Sequence, residues 1–380
     1  MRPVTERNGK NFIFACLFLL IFTMILTACT NKQNTKPKPP EEKEKQDESL
    51  PEEKIEYVLP ITPPEGAFYK VAGWLSELQL LYITNQEQTS SVYQYELYTG
   101  KSELLYKSDQ PIVTVQISES KKYILVQTSP SSYEGMITII DQNGTELLKQ
   151  SLASVELAFE WNPYNESEIL VAAFNEDWTY LMYLFDIVNE RVEELSLPQP
   201  FIKWISKNQI AFLDWEEVSF SLYAPIMSMN LDDMTDKLIL PEVYQFSTFH
   251  DLLMTITVDK EDPSQSVYTF FDHENVPIFS FTMPLLSVFS GWLVPSYDYN
   301  QKEGRFITFQ PLSSGDADAY SEGFQLISYD IKKGSSEVIM EGLKNAPVVF
   351  SPSGNALLYG NRLENVIDIE KKEINELVKE

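Results

Sequence analysis

Five acidic residues recur at a similar place in successive stretches of this chain: Glu96, Asp141, Asp186, Asp272 and Asp330. Carboxylates in pairs are the equipment of glycoside hydrolysis, one as acid and one as base or nucleophile. The same residues repeated unit by unit also suit hairpin turns, where Asp accepts hydrogen bonds from nearby backbone, and that is the reading the spacing favours. His250 and His273 are the only histidines, so Ser-His-Asp chemistry would have to use one of them. His273 sits in Asp272-His273-Glu274-Asn275, which reads as a turn, and His250 follows Phe249 near a strand end. Two histidines are too few for a His-based zinc site. For calcium, Asp316-Ala317-Asp318 and Asp232-Asp233 with Asp236 offer carboxylates at short spacing, without the twelve-residue loop of a strong site. Asn143-Gly144-Thr145 and Asn165-Glu166-Ser167 fit the glycosylation pattern and equally fit turns. With 14 glycines and no glycine-rich phosphate loop, a nucleotide-driven enzyme is not expected. The sequence therefore assigns no catalytic residue, no metal and no cofactor.

Charge narrows the partners. Lys and Arg number 29 against 56 Asp and Glu, a formal net charge of -27, which repels nucleic acid and anionic membrane surfaces.

The start of the chain carries the sharpest signal. Arg2, Arg7 and Lys10 precede an apolar run from Phe12 to Leu26, which is short for a membrane-crossing helix and suited to a signal core. Leu26-Thr27-Ala28-Cys29 then resembles the bacterial lipobox, in which the cysteine receives a diacylglyceryl thioether before cleavage. Residues 1–28 are thus expected to be a signal peptide cut between Ala28 and Cys29. Cys16 would leave with it, and Cys29 would be the one cysteine of the mature chain, excluding disulfides and thiol nucleophiles. Palmitate-type acyl chains at roughly 0.8 kcal/mol per buried CH₂ hold such a protein on the extracytoplasmic face of a membrane. Residues 29–64, with Lys36-Pro37-Lys38-Pro39-Pro40 and Glu41-Glu42-Lys43-Glu44-Lys45, contain little that could enter a core and read as a disordered, solvated tether.

The elements that must position any site lie in residues 65–380. Short apolar or alternating runs rich in Tyr, Phe, Val, Ile and Leu are separated by Gly, Asn, Asp and Ser, the pattern of β-strands and turns. An aromatic or apolar residue ends a strand at Trp74, Ile117, Trp161, Trp204, Phe246, Trp292 and Phe350, at spacings of 43, 44, 43, 42, 46 and 58. A second marker holds the same period: an alternating strand running into an acid or amide, as in Val92 to Glu96, Ile137 to Asp141, Met182 to Asp186, Met227 to Asn230, Tyr268 to Asp272, Leu326 to Asp330 and Asn365 to Asp368. A unit of about 43 residues holding four strands is the size of one propeller blade. Seven units are counted, with an insertion around Ser313 to Gly323 explaining the longest spacing. Lys371 to Glu380 fits a short helix or a final strand.

In Val348-Val-Phe-Ser-Pro-Ser-Gly-Asn355 and Ala356-Leu-Leu-Tyr359 the chain resembles the strand and turn repeat of TolB-like and WD40-like propellers. With its lipobox, Lys/Glu/Pro tether and acidic all-β domain, it is similar as a whole to the YqgU-like lipoproteins of Gram-positive bacteria. That resemblance implies a propeller of six blades, one fewer than the count of repeats, with no established activity. The expected role is a non-catalytic binding or scaffolding module for a protein or cell-envelope component. A hydrolase of envelope glycans or peptides would need two acids facing one pocket, and an envelope-protein assembly factor would need apolar surface exposed on one face.

Overall fold

The computed structural model describes residues 57–215 and 221–379; the signal segment, Cys29 and the linker up to residue 56 lie outside the described residues. Among the described residues every regular element is a β-strand. Ala67–Trp74, Gln79–Gln86, Thr89–Glu96 and Lys101–Ser108 pair antiparallel in chain order to make the first blade. The pattern repeats from Ile112–Ile117 to Glu146–Ala153, Glu156–Trp161 to Arg191–Leu195, Ile202–Ser206 to Asp236–Val243, Gln245–Phe249 to Pro277–Pro284, Tyr297–Asn300 to Ser335–Leu343 and Val348–Phe350 to Glu373–Glu376. Seven four-stranded sheets result, as the repeat count predicts. The strand Glu373–Glu376 settles the end of the chain in favour of the strand reading.

Burial follows position in the blade. Second strands are covered on both sides, so they are apolar without alternation: Leu80 to Thr84, and Ile169 to Phe174, are buried throughout. Third strands alternate, as in Gln265–Phe271. Fourth strands such as Arg191–Leu195 are largely polar and exposed.

A blade cannot bury its two faces alone, so blades stack. Seven clusters of buried residues are found, and each is shared by two neighbouring blades. The cluster containing Trp74, Tyr82 and Leu358 joins the seventh blade to the first and closes the ring. Trp74 Nε1 donates to the Val349 carbonyl at 3.3 Å, and Val71 N–H to that of Arg362 at 2.9 Å. First strands of successive blades bond one another, for example Trp161 Nε1 to Gln116 Oε1 at 3.1 Å, so they form the inner wall.

Two expectations change. Residues 57–64, assigned to the tether, include packed ones: Ile61 is buried in the closing cluster, its N–H donates to Leu377 O at 2.7 Å, and Val58 N–H donates to Leu97 O at 2.7 Å. These few apolar residues beside prolines were too short a run to show as core. Trp292 does not end an inner strand; the sixth blade starts at Tyr297–Asn300. Trp292 belongs to an added three-stranded sheet in which Leu286–Val288 pairs with Gly291–Leu293 and, in parallel, with Gly315–Asp316. The long spacing thus has two sources, one before the sixth blade and one within it.

Antiparallel order fixes two faces. Turns between first and second, and between third and fourth, strands lie at one end, here named the turn face. Second-to-third loops and the links between blades lie at the other, named the crossover face.

Candidate functional site

The recurrent acids sit at one hairpin of separate blades, on the turn face. Asp141 Oδ1 accepts from the N–H groups of Asn143 and Thr145, both at 2.8 Å. Asp272 Oδ1 does the same for Glu274 and Val276 at 2.9 Å, and Asp330 Oδ1 for Lys332 and Lys333 at 3.1 and 2.9 Å. Asp186 Oδ1 accepts from Asn189 N–H at 3.1 Å, and Glu96 offers its carbonyl to Gly100 N–H at 2.9 Å. Partial burial opposes ionisation of Asp186, yet the side-chain and backbone donors of Asn189 outweigh it and hold the carboxyl below the usual range. The four aspartates cap turns with their side chains, whereas Glu96 contributes only its backbone carbonyl. In the Asp141 turn Gly144 has φ +80°, and a Cβ there would stand 2.2 Å from Leu105 O, so the Asn-Gly pair is structural.

The two histidines, separate in sequence, line one cleft of about 420 Å³ between the fourth and fifth blades. His250 adopts φ +52°, its ring lies 4.6 Å from that of Tyr164, and the Tyr164 hydroxyl donates to its carbonyl. His250 Nδ1 is 3.1 Å from Asp251 Oδ1. The cleft's serine, Ser228, donates to the Lys237 carbonyl at 3.2 Å rather than to a histidine. Asp316 Oδ1 accepts from Asp318 N–H at 2.8 Å, so it too caps a turn, and among the described residues no group of three or more His, Cys, Asp or Glu is placed to hold a metal.

Sequence reasoning missed a buried carboxyl, Asp298. Asp298, on the sixth blade's first strand, accepts Phe350 N–H at 2.7 Å and feels the charge of Lys121 from the second blade's first turn. Burial pushes the Asp298 carboxyl up to about 6, against the pull of the Phe350 and Tyr299 N–H groups and of Lys121. Burial likewise lowers Lys121, while Glu119, Glu166 and Asp298 work to raise it. Between about pH 4 and 6 the folded chain holds a proton that the unfolded chain has released, so this group's contribution to stability falls as pH rises through that window and is constant above it. Asp298→Asn keeps an acceptor for Phe350, and at pH 7 it is expected to stabilise by roughly 1–3 kcal/mol relative to the parent, with the gain gone at pH 4. Urea midpoints at the two pH values check this; equal shifts at both would contradict it.

The crossover face also went unread in the sequence, and it differs in kind. Phe289 is fully exposed, Phe201 72%, Trp178 67% and Tyr133 61% exposed, and Trp215 is exposed as well. All five stand on second-to-third loops or blade links. Leu222, Val288 and Leu312 add exposed apolar surface on the same face. Phe174, itself buried, supports two of the rings: Phe201 stacks on it at 5.6 Å and Trp178 meets it edge-on at 6.1 Å. Beside Phe201 a groove of about 330 Å³ opens between the third and fourth blades. Its wall holds Glu160 and Lys203, joined at 2.6 Å, with Gln199, Gln245 and Trp215 around them. Burial raises the Glu160 carboxyl, and Lys203 pulls it back.

Comparison with known proteins now fits this geometry. The model of the YqgU-like 6-bladed beta propeller domain matches residues 96–360. The chain belongs to this family. The YqgU-like match begins at the last residue of the first blade's third strand and stops just after the seventh blade's second strand, so it encloses five whole blades and parts of two. The described residues carry seven. The uncharacterized lipoprotein YqgU of Bacillus subtilis is 26% identical over 373 residues, 97% of each chain. The uncharacterized protein lmo1340 of Listeria monocytogenes shares the fold at a TM-score of 0.78, with 22% identity over 85% of this chain and 98% of its own. The propeller domain of the Trilobed protease from Pyrococcus furiosus, described as having open velcro topology, matches at 0.54, with 14% identity over 82% of this chain and 98% of its own.

Proposed function

We propose that this YqgU-like chain is a lipid-anchored binding module of the extracytoplasmic membrane face, which engages a protein or cell-envelope component through its crossover face. The observation that carries the reading is the placement of Tyr133, Trp178, Phe201, Trp215 and Phe289, exposed aromatic rings on one face of the ring. Exposed Trp, Tyr and Phe are the residues that anchor interfaces, because they bury much area at low entropic cost once a partner covers them. The rigid inter-blade cores hold the loops that present them. Anchoring is supported by Leu26-Thr27-Ala28-Cys29 and by the lipoprotein relative matched over 97% of each chain. Hydrolysis by the recurrent acids has less support, since the carboxylates of Asp141, Asp186, Asp272 and Asp330 are engaged in turns of different blades. An assembly-factor role draws on the same exposed face and is a special case of the binding reading.

A photo-crosslinking side chain at Trp178 or Phe289 in intact cells is expected to yield discrete adducts. The same group at Glu274, on the turn face, is expected to yield none. Equal adducts from both faces, or none from either, would overturn the assignment.

A further inference from the structure

We infer that the groove beside Phe201 binds an uncharged saccharide, one or two rings of a glycan chain; this deepens the proposed function, since the groove lies on the same crossover face. The groove combines two features that separately are unremarked. One is an exposed ring held in place: Phe201 cannot fold away because it is stacked on buried Phe174. The other is a set of uncommitted polar groups: among the described residues the side-chain amides of Gln199 and Gln245 have no hydrogen-bond partner, although both line the groove. Glu160 and Lys203 neutralise one another at 2.6 Å and still present further acceptor and donor positions.

A partner that is only apolar would leave the amides and the ion pair desolvated without compensation. A pyranose satisfies both features. Its C–H face lies against the electron-rich face of an aromatic ring, and its hydroxyl or acetamido groups exchange hydrogen bonds with planar amides and a carboxylate. The volume, about 330 Å³, stands at the small end of ligand sites and suits a sugar unit rather than a folded domain. Charge selects further. The chain carries -27, and the groove offers no cation beyond Lys203, which Glu160 already engages, so uronate or phosphate polymers are disfavoured.

The test is calorimetric titration of the mature chain, purified in a sugar-free zwitterionic detergent, with N,N′-diacetylchitobiose. Digalacturonate and a peptide of residues 32–40 serve as the anionic and the cationic proline-rich probes. Saturable binding of the neutral disaccharide alone is expected. Phe201→Ala and Gln245→Ala should each weaken it about tenfold, and Trp178→Ala, on the same face but outside the groove, should change it less than about twofold. Phe201 is exposed, so its loss does not threaten folding. The inference is overturned if no neutral binding saturates, if either other probe binds as tightly, or if Trp178→Ala matters as much as Phe201→Ala. Crosslinks that persist from Trp178 and Phe289 while sugar binding fails would sink the ligand class and leave the binding face standing.

Discussion

Replacing Phe306 by alanine is expected to cost the folded chain about 3–5 kcal/mol. The ring is wholly buried at the junction of the fifth and sixth blades. Five aromatic rings surround it: Phe270 at 5.2 Å, Tyr297 at 5.5 Å, Phe281 at 6.1 Å, Tyr268 at 6.3 Å and Phe249 at 6.4 Å. Four of the neighbours, Phe249, Tyr268, Phe270 and Phe281, sit on strands of the fifth blade, and Phe306 with Tyr297 on the sixth, so the truncation opens a cavity at an interface that the ring cannot close without moving a blade. The urea midpoint should fall with an unchanged slope, and near-ultraviolet dichroism should weaken as the surrounding tyrosines lose their fixed setting. A loss below about 1 kcal/mol would mean that these blades do not meet as described.

Cys29→Ser should abolish the mature, membrane-held form of the chain. A serine cannot form the thioether, so the chain is expected either to remain as an unprocessed precursor or to be shed from the membrane. Without acyl chains the remaining attraction to an anionic bilayer is unfavourable, because the chain is itself strongly acidic. Fractionation with mass measurement decides it. A variant that stays with membranes at the mature mass would show that something other than lipid on residue 29 holds the protein.

Much of the fold could be read from local pattern. Every third strand marked by an acid or amide, from Val92 to Glu96 through Asn365 to Asp368, lies in a third strand of the structure, because alternation and a turn-capping side chain are both properties of one short segment. Trp292 misled because a hairpin inserted between blades can show the same aromatic beside glycine as an inner strand does. The aromatic crossover face was not legible for a related reason. A Phe or Trp near a loop looks the same in sequence whether it enters a core or faces water: Phe174, ending a second strand, is buried, and Phe201, in a blade link, is exposed. His250 and His273 share a cleft for the same long-range cause, the pairing of their strands within the fifth blade. Asp298 gave no signal either, since its burial and its Phe350 partner come from the packing of the sixth blade against the seventh.

Among the described residues no blade of this ring borrows a strand from elsewhere in the chain; each is one unbroken stretch, and closure rests on side-chain packing and on contacts such as Ile61 N–H to Leu377 O. Heredity can therefore act on a blade as a block. Duplicating or deleting one stretch of coding sequence adds or removes a whole sheet without splitting any strand pairing, although the angle between all neighbouring blades must then adjust for the ring to close. Where the last sheet is completed by a strand from the chain's beginning, the same event would still spare that joint but would fix both termini to a single seam. Here the seam can lie between any two neighbours, and the number of blades is a quantity that descent can change one at a time.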